Sequence, residues 1–457
     1  MHSIIVCRYI VFQVREFLMK NVKNGGAIPK ASTLREIYVP KLYEKRRADV
    51  KLSLAGHRIA VIVDETTDSC QRYTLNVIAV DLDQEHTPAK LIATSYIDKV
   101  SHATVAQEIT CALHGMDIDF NNVLAVVSDN AAYMKKCYSD ILSSLFPNSV
   151  HVTCWAHTLH LAVEAFRHQL PSADAVVASG KSIFAHAPSR RQRWLQHLKS
   201  EGAEEPTLPP EPVITRWGTW LSAAKYYSVH AEQLASFLKK EQAMSNGVKL
   251  AALADTLKTD AAHTQLGLAA TWAEKFNVLI KTLEGRSLTA PDIYNKVKDF
   301  HTRLVTAAED DQTGALAAAA TKLELYMSGG KQPALQFFKT VRLLDPSQFM
   351  MLLNSHDEAA AHIPALQDCK TEWEIYRAIV KELPAGQPVS DVFNFWMAQG
   401  GRMPILSALA AALCRVPCSS AEVERSFSKY KQILGHQRTR LSTTSLVHLN
   451  FIYFNYN

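Results

Sequence analysis

Three carboxylates stand at places in the sequence where they could hold metal ions. Asp64 follows a short apolar run, residues 57–63, and Asp129 follows a second one, residues 122–127. Glu424 falls in the first turn of a helix predicted near the carboxyl terminus. Hard cations such as Mg²⁺ bind through carboxylates and substrate phosphates. A pair of such ions activates a water or hydroxyl and stabilises the leaving oxygen of a phosphodiester. The three acids therefore predict a two-metal site.

Each acid also has a simpler interpretation. An Asp after a strand is a common turn former, and an acid in the first turn of a helix is favoured by the helix dipole. The order of the elements strengthens the functional interpretation of Asp64 and Asp129, because ligands bind in the crevice beyond the strand ends of an α/β sheet.

The predicted elements that position these acids are strands and helices, which the hydrophobic pattern distinguishes by its period. Residues 57–63, 74–80 and 90–97 are predicted strands with short polar connections, which favours an antiparallel meander. Helices and strands then alternate, and the later strands should be parallel crossovers. The predicted helices are 105–116, 131–146 and 155–168, and the predicted strands between them are 122–127 and 149–153. The first and fourth strands can be neighbours, so Asp64 and Asp129 could converge.

The helix that carries Glu424 has recognisable ends. Ser419 and Glu422 fit the capping-box pattern S-x-x-E, which assigns Glu422 a structural role. Glu424 lies two residues on, about 200° around the helix, and is free to face elsewhere. Gly435 is the predicted stop. An apolar stripe should face the core through Val423, Phe427, Tyr430 and Leu434.

The composition is that of an ordinary globular protein. The 457 residues are 47% hydrophobic and 20% charged, which excludes a disordered tail, a collagen-like fibre and a coiled-coil rod. The net charge of +5 is compatible with a nucleic-acid partner but does not establish one. The 8 cysteines are scattered without a C-x-x-C pair, which indicates a reducing compartment. No apolar segment is long enough to span a membrane.

Two further pairs of residues could serve the same site. Cys154 and His157 lie one helical turn apart and could bind Zn²⁺, but a structural zinc needs four ligands and the sequence offers no second pair. We therefore expect a packed Cys and a hydrogen-bonding His rather than zinc. Arg216 could hold a phosphate and Trp217 could stack on an extruded base. The alternative is a core Trp with a snorkelling Arg.

Basic residues form three clusters that could neutralise DNA phosphates. One is residues 45–47, the second is Arg190, Arg191 and Arg193 beside Trp194, and the third is Arg438 with Arg440. A charge run is more often a solvated face. Because Trp194 adds an aromatic, the second cluster is the first choice for DNA contact.

Several blocks of the sequence resemble the hAT superfamily of DNA transposases, of the kind related to BED-finger proteins. The blocks occur in the family's order from about residue 61 to the end, and their order is more specific than any one of them. They are VDETTD (63–68), SDNAAYM (128–134), CWAHTLHL (154–161), TRWGTWL (215–221), SSAEVERSFS (419–428) and RTRLS (438–442). The family's amino-terminal zinc finger has no counterpart here, so we expect the element-end reader to be missing.

The resemblance implies a ribonuclease-H-like mixed α/β fold interrupted by an all-α insertion. It implies an Asp64, Asp129 and Glu424 triad with two Mg²⁺ or Mn²⁺ ions, active-site support from Cys154 and His157, and a carboxyl-terminal dimerisation region. The expected domains are a helical remnant (1–56), the first part of the catalytic core (57–227), the helical insertion (228–400) and the carboxyl-terminal helices (401–457).

Two functions remain open from the sequence. The first is a nuclear enzyme that cleaves double-stranded DNA at element ends and joins it to target DNA, working as a homodimer or higher oligomer. The second is a domesticated or decayed module that binds DNA or dimerises without catalysis. The apolar tail, residues 443–456, could serve the dimer or pack within its own chain. The intact triad favours the first function, and the missing finger favours the second.

Overall fold

A computed structural model describes most of the chain. The described residues are 20–21, 29–85, 87–213, 217–244, 247–328, 330–352, 355–383, 391–435 and 441–456, and the side chains of residues 217, 350 and 351 are not included. The described chain forms two compact units. The sheet unit comprises the described parts of 1–154, 289–291 and 336–457, and the helical unit comprises those of 155–288 and 292–335. The domain boundaries expected from the sequence stay predictions.

A five-stranded sheet organises the sheet unit, with strand order β3-β2-β1-β4-β5. The two hairpin-linked pairs are antiparallel, whereas β4 runs parallel to both β1 and β5. The antiparallel meander and the parallel crossovers predicted from the sequence are therefore confirmed. The strands are β1 (Ile59–Thr67), β2 (Tyr73–Asp81), β3 (Lys90–Ile97), β4 (Val123–Ser128) and β5 (Val150–Thr153).

The first strand is longer than predicted. It continues past Val63 to Thr67, because its polar last residues pair with the start of β2, with Glu65 opposite Leu75 and Thr67 opposite Tyr73. The prediction that Asp64 ends this strand was therefore wrong, and Asp64 lies within it. The corresponding prediction for Asp129 is confirmed, since β4 ends at Ser128.

Helices account for most of the remaining structure. The predicted helix spanning residues 131–146 is confirmed, although its middle is a π-helical turn, Tyr138–Leu142. The helices up to residue 200 are α1 (Val39–Leu54), α2 (His102–Gly115), α3 (Ala132–Cys137), α4 (Trp155–His168), α5 (Pro171–Phe184) and α6 (Pro188–Ser200). Short helical segments are Ala31–Thr33, the π-helical Leu34–Tyr38, the 3₁₀ segment Phe120–Asn122, and Ser143–Leu145.

Helices also form the described chain beyond residue 216, where no strand occurs. They are α7 (Trp217–Val229), α8 (Ala231–Met244), α9 (Val248–Leu257), α10 (Asp260–Glu284), α11 (Ala290–Ala308), α12 (Ala315–Met327), α13 (Leu335–Thr340), α14 (Pro346–Leu352), α15 (His356–His362), α16 (Lys370–Glu382), α17 (Val392–Gln399), α18 (Pro404–Cys414), α19 (Ala421–Leu434) and α20 (Thr443–Phe454). Two 3₁₀ segments are Val341–Leu344 and Pro364–Cys369. Among the described helices, none has the length and hydrophobicity needed to cross a membrane.

The two faces of the sheet have different coverings. One face is apolar and packs with α1, α2 and α3, through residues such as Val61, Val63 and Ile109. The opposite face carries Asp64 and meets α19, which contacts β1 and β2. The mixed α/β class is thus confirmed, with the predicted acid on the face that receives the carboxyl-terminal helix.

Candidate active site

The sheet and α19 together place the three predicted acids in one neighbourhood. Asp64 is directly opposite Asn76 on β2, and residues opposite each other in a sheet share a face. The Asn76 amide donates to the Ser426 hydroxyl of α19 at 2.7 Å. Asp64 is therefore on the side of β1 that faces the helix bearing Glu424.

The parallel pairing of β1 and β4 aligns the two aspartates. Ile62 pairs with Val127, and Asp64 and Asp129 each stand two residues farther along. The Asp129 carboxylate accepts the backbone N–H of Ala131 at 3.0 Å, which holds it at the turn into α3. The turn-forming interpretation of Asp129 is thus also correct, and it leaves the aspartate level with Asp64.

Electrostatic coupling links Asp64 to both other acids. Burial raises the pKa of Asp64 well above its ordinary value, and the negative charges of Asp129, Glu65 and Glu424 raise it further. The Glu65 backbone N–H, which donates to the Asp64 carboxylate at 2.9 Å, acts in the opposite direction. Within the described chain, no three His, Cys, Asp or Glu side chains are grouped closely enough, as they stand, to hold an ion.

A fourth acid and a tyrosine adjoin the aspartates, and sequence reasoning missed both. Glu65 accepts a hydrogen bond from the Tyr133 hydroxyl of α3. Burial raises the pKa of Glu65, the Tyr133 bond opposes this rise, and the charge of Asp129 adds to it. The only sequence signal was a second acid directly after Asp64 in VDETTD, and nothing marked its partner 68 residues away.

A buried pair behind Asp129 was missed as well. The Ser128 hydroxyl lies 3.0 Å from Nε2 of His151 and 2.9 Å from the backbone carbonyl of Asp129. Burial lowers the pKa of His151 to about 4, so the imidazole is neutral at physiological pH. Tyr138 stacks on its ring at 4.9 Å between centroids. This arrangement fixes the end of β4 from which Asp129 projects.

Cys154 connects the sheet to the start of α19. Its sulfur is buried and accepts the backbone N–H of Ser420 at 3.3 Å, one residue before the helix begins. The Cys418 thiol is close enough that Cys154 helps burial to raise its pKa. Cys154 therefore positions the helix that carries Glu424.

His157 lies on α4 in the helical unit and is partly exposed. The role of His157 in supporting the active site stays a prediction. The expectation that Cys154 and His157 do not bind zinc also stays a prediction.

The capping box predicted for α19 was wrong. The helix begins after Ser420, and the Ser420 side chain makes no capping hydrogen bond. Glu422 is instead buried and accepts a 2.7 Å bond from Arg425. The predicted apolar stripe is confirmed, because each of its four residues is buried, and the helix ends at Gly435 as predicted.

Arg190, Arg191 and Arg193 form ion pairs with acidic side chains of the helical unit. Glu241, which is 2% exposed, accepts from Arg190 at 3.0 Å and from Arg193 at 2.6 and 2.8 Å. Arg191 bonds Glu211 at 3.0 Å. Trp194 is fully buried and donates to the Tyr226 hydroxyl. The cluster is thus built into the helical unit, and its contact with DNA stays a prediction.

Only some of the other candidate DNA-binding residues lie within the described part of the chain. Arg216, Arg438 and Arg440 and the side chain of Trp217 lie outside the described residues. In the cluster at 45–47, Arg47 donates to the Gly115 carbonyl at 2.6 Å, while the Lys45 side chain is exposed. Trp220 was expected in the core, and it is 2% exposed and bonds Asp174 at 2.9 Å.

The carboxyl-terminal tail packs against its own sheet. Leu446, Phe451 and Phe454 of α20 are buried, and Asn450 donates to the Thr94 hydroxyl at 2.8 Å. The Asn455 amide bonds both backbone groups of Leu91 on the edge strand, at 3.0 and 2.9 Å. The intramolecular alternative for this segment is therefore correct for these residues.

Comparisons with known proteins identify the carboxyl-terminal part of the chain. Residues 377–456 match the family model described as the hAT family C-terminal dimerisation region. The match includes Glu424, all of α19 and α20, and the Cys418 loop. No protein among the curated sequences matches the chain. This match supports the family resemblance drawn from the sequence blocks over the carboxyl-terminal part of the chain.

Proposed function

We propose that the chain is a hAT-like transposase that cleaves and rejoins DNA phosphodiester bonds, with a ribonuclease-H-like core. The observation that supports this most is the electrostatic group formed by Asp64, Asp129 and Glu424, which come from β1, from the end of β4 and from α19. A buried acid whose pKa is raised by neighbouring negative charges, as that of Asp64 is, is typical of functional clusters. The family match covers the element that supplies the third acid.

The donor set fits Mg²⁺ or Mn²⁺. All three side chains are carboxylates, the hard oxygen ligands that these ions prefer. Two ions held by Asp64, Asp129 and Glu424 would supply an activated nucleophile and charge neutralisation at the leaving oxygen. The mutual repulsion that raises the Asp64 pKa is the kind of interaction that a bound cation reverses.

The chain's other residues hold this group in place. Cys154 holds the start of α19, and the hydrogen bond from Asn76 to Ser426 holds its second turn on the acid-bearing face of the sheet. Ser128 and His151 fix the end of β4 behind Asp129. Together they set the spacing of the three carboxylates, which metal-assisted phosphoryl transfer requires.

The remaining parts of the proposal follow from the family. The dimerisation region supports a homodimer or higher oligomer. Double-stranded DNA is the substrate, with Arg190, Arg191, Arg193, Arg216 and Trp217 as candidate contacts, and the nucleus is the compartment where it would be met.

A metal-dependent nicking assay tests the proposal. Purified full-length protein should nick supercoiled plasmid in the presence of Mn²⁺, and Asp129→Asn should abolish nicking because one carboxylate ligand is lost. Asp140→Asn is the matched control, since Asp140 is an exposed acid paired with Lys136 outside the site, and it should leave the rate unchanged.

Two results contradict the assignment. Equal rates for the wild type and Asp129→Asn would remove Asp129 from the site. A wild type that binds DNA and dimerises without metal-dependent nicking would establish the alternative, a non-catalytic DNA-binding and dimerisation module.

A further inference from the structure

Two consecutive helices of the sheet unit carry large hydrophobic side chains that the described chain leaves uncovered. Met397 of α17 is 75% exposed and Ile405 of α18 is 59% exposed. Single exposed hydrophobic residues are normal on a protein surface, whereas a contiguous group of them marks an interaction site. The significance of Met397 and Ile405 therefore depends on what lies around them.

A tight turn connects the two helices. The backbone N–H groups of Arg402 and Met403 both donate to the Gln399 carbonyl at 2.9 Å, so the end of α17 lies close to the start of α18. Met397 precedes this turn and Ile405 follows it. The two exposed side chains therefore lie on either side of one turn, at the same end of the helix pair.

A third helix extends this surface. The Glu372 carboxylate of α16 accepts the backbone N–H groups of Ile405 and Leu406, at 3.3 and 2.6 Å, and so caps the start of α18. Ile375 is 39% exposed and lies one turn farther along α16, on the same side of the helix as Glu372. Ile375 and Ile405 therefore flank the same capping bonds.

The surface of α17 and α18 is almost without charge. Its exposed apolar side chains are Met397, Ala398, Pro404, Ile405 and Ala408. Among the other exposed side chains of residues 392–412, a fully described stretch, Asn394 is neutral and only Arg402 is charged. Depletion of charged residues together with exposed Met is typical of the core of a protein–protein interface.

The family match indicates what covers this surface. Residues 377–456, which match the dimerisation region, include all of α17, α18, α19 and α20. The last two of these helices pack against the chain's own sheet. The exposed side chains of α19 are polar, namely Arg425, Ser428, Lys431 and Gln432. The apolar exposed surface of the matched region is therefore on α17 and α18, and a second copy of the chain is the occupant that fits it.

We infer that α17 and α18 form the centre of an interface between two copies of this chain. The contact would be isologous, with the same surface on both copies, as is usual for homodimers. Glu374 and Arg377 of α16, which are exposed and of opposite charge, would lie at its rim. The inference rests on the oligomer in the proposed function and not on its DNA chemistry.

Substitutions in the apolar surface test the inference. Sedimentation velocity of the full-length chain, without DNA or divalent cations, measures the Kd of the dimer. Met397→Glu and Ile405→Glu should each raise this Kd by about 100-fold, because each would bury an unpaired charge in the interface. Both positions are exposed in the single chain, so the fold should tolerate the changes, and a thermal melt checks this.

Leu52→Glu is the matched control. Leu52 is 79% exposed on α1, in the same unit as Met397 and as uncovered as it, but it is not part of this surface. The substitution introduces the same charge and should leave the dimer Kd unchanged.

Hydrogen–deuterium exchange provides a measurement that needs no variant. Peptides from residues 392–408 of the wild type should exchange more slowly at protein concentrations above the dimer Kd than below it, because association covers and stabilises these helices. Peptides that contain Leu52 should exchange at the same rate at both concentrations.

Three results would overturn the inference. Equal dimer Kd values for the wild type, Met397→Glu and Ile405→Glu would place the interface elsewhere and leave the proposed oligomer intact. Exchange of residues 392–408 that is independent of protein concentration would show that no second copy covers them. A wild type that is monomeric at every concentration would remove the interface and the proposed oligomer together. Since no cleavage is measured, each failure leaves the proposed transposase chemistry to its own assay.

Discussion

Two charged clusters in this chain are built in opposite ways. In the sheet unit, Asp64 shares its surroundings with Asp129 and Glu424, and their negative charges help burial to raise its pKa. In the helical unit, Glu241 is buried between Arg190 and Arg193. Their hydrogen bonds, that from Arg193 first, lower its pKa despite burial. One cluster opposes the ionisation of its acid, and the other promotes it.

This difference between the two clusters indicates that the charges around Glu241 stabilise the fold, whereas those around Asp64 do not. Glu241 receives three charge-assisted bonds and leaves its arginines committed within the helical unit. The three acids of the sheet unit repel one another, and such an arrangement lowers stability. Proteins keep arrangements of this kind where activity requires them. The comparison therefore supports the proposal that the chemistry lies in the sheet unit, and it makes opposite predictions for neutralising an acid in each cluster.

The largest expected effect is the loss of Glu241. Glu241→Ala should lower the free energy of unfolding by about 3 kcal/mol, because two guanidinium groups lose the acid between them. Chemical denaturation followed by circular dichroism measures this. Glu274→Ala is the matched control, since Glu274 pairs with Lys225 at 3.2 Å on the surface, where a salt bridge contributes at most about 1 kcal/mol. Equal losses in the two variants would mean that Glu241 is not a structural centre.

The buried His151 behind Asp129 should make stability depend on pH. Its pKa is lowered to about 4 when folded, against 6.5 in the unfolded chain, so the unfolded state binds more protons between these values. The stability is therefore complete above pH 6.5 and is lost as the pH falls toward 4. The loss attributable to His151 should reach about 2 kcal/mol at pH 5.

A matched pair of variants measures this contribution. His151→Gln should flatten the fall between pH 7 and pH 5 relative to the wild type. His263→Gln should not, because His263 is exposed on α10. An equal pH dependence in the wild type and His151→Gln would show that the imidazole titrates normally.

Much of the frame around the acids could be predicted from periodicity. The change from strand to helix spacing, together with short connections, allowed β1 and β4 to be neighbours with Asp64 near Asp129, and the structure confirms this pairing. The apolar stripe of α19 was also predictable, because a 3.6-residue period specifies a buried face without knowledge of what covers it.

Partners that are distant in sequence could not be predicted in the same way. Glu65 and Tyr133 are 68 residues apart, and Arg193 and Glu241 are 48 apart. Nothing local marks either pair, so the sequence left the arginines with two interpretations, a solvated face or a DNA contact, and did not indicate Glu241 as their partner. The predicted capping box failed for a related reason, since Glu422 is bonded by Arg425 and buried by packing. The local sequence pattern predicts which face of an element a side chain lies on, whereas its bonding partner depends on tertiary contacts.

The smallest expected effect has the opposite sign from that of Glu241. Asp64→Asn should raise the free energy of unfolding by about 1 kcal/mol at pH 7, because the amide keeps the carbonyl that accepts the Glu65 N–H but removes one of the repelling charges. Millimolar Mg²⁺ should raise the melting temperature of the wild type more than that of Asp64→Asn, since a cation relieves the same repulsion. If Asp64→Asn is instead destabilising and Mg²⁺ affects both proteins equally, the acids do not form a repelling group, and the contrast with Glu241 disappears.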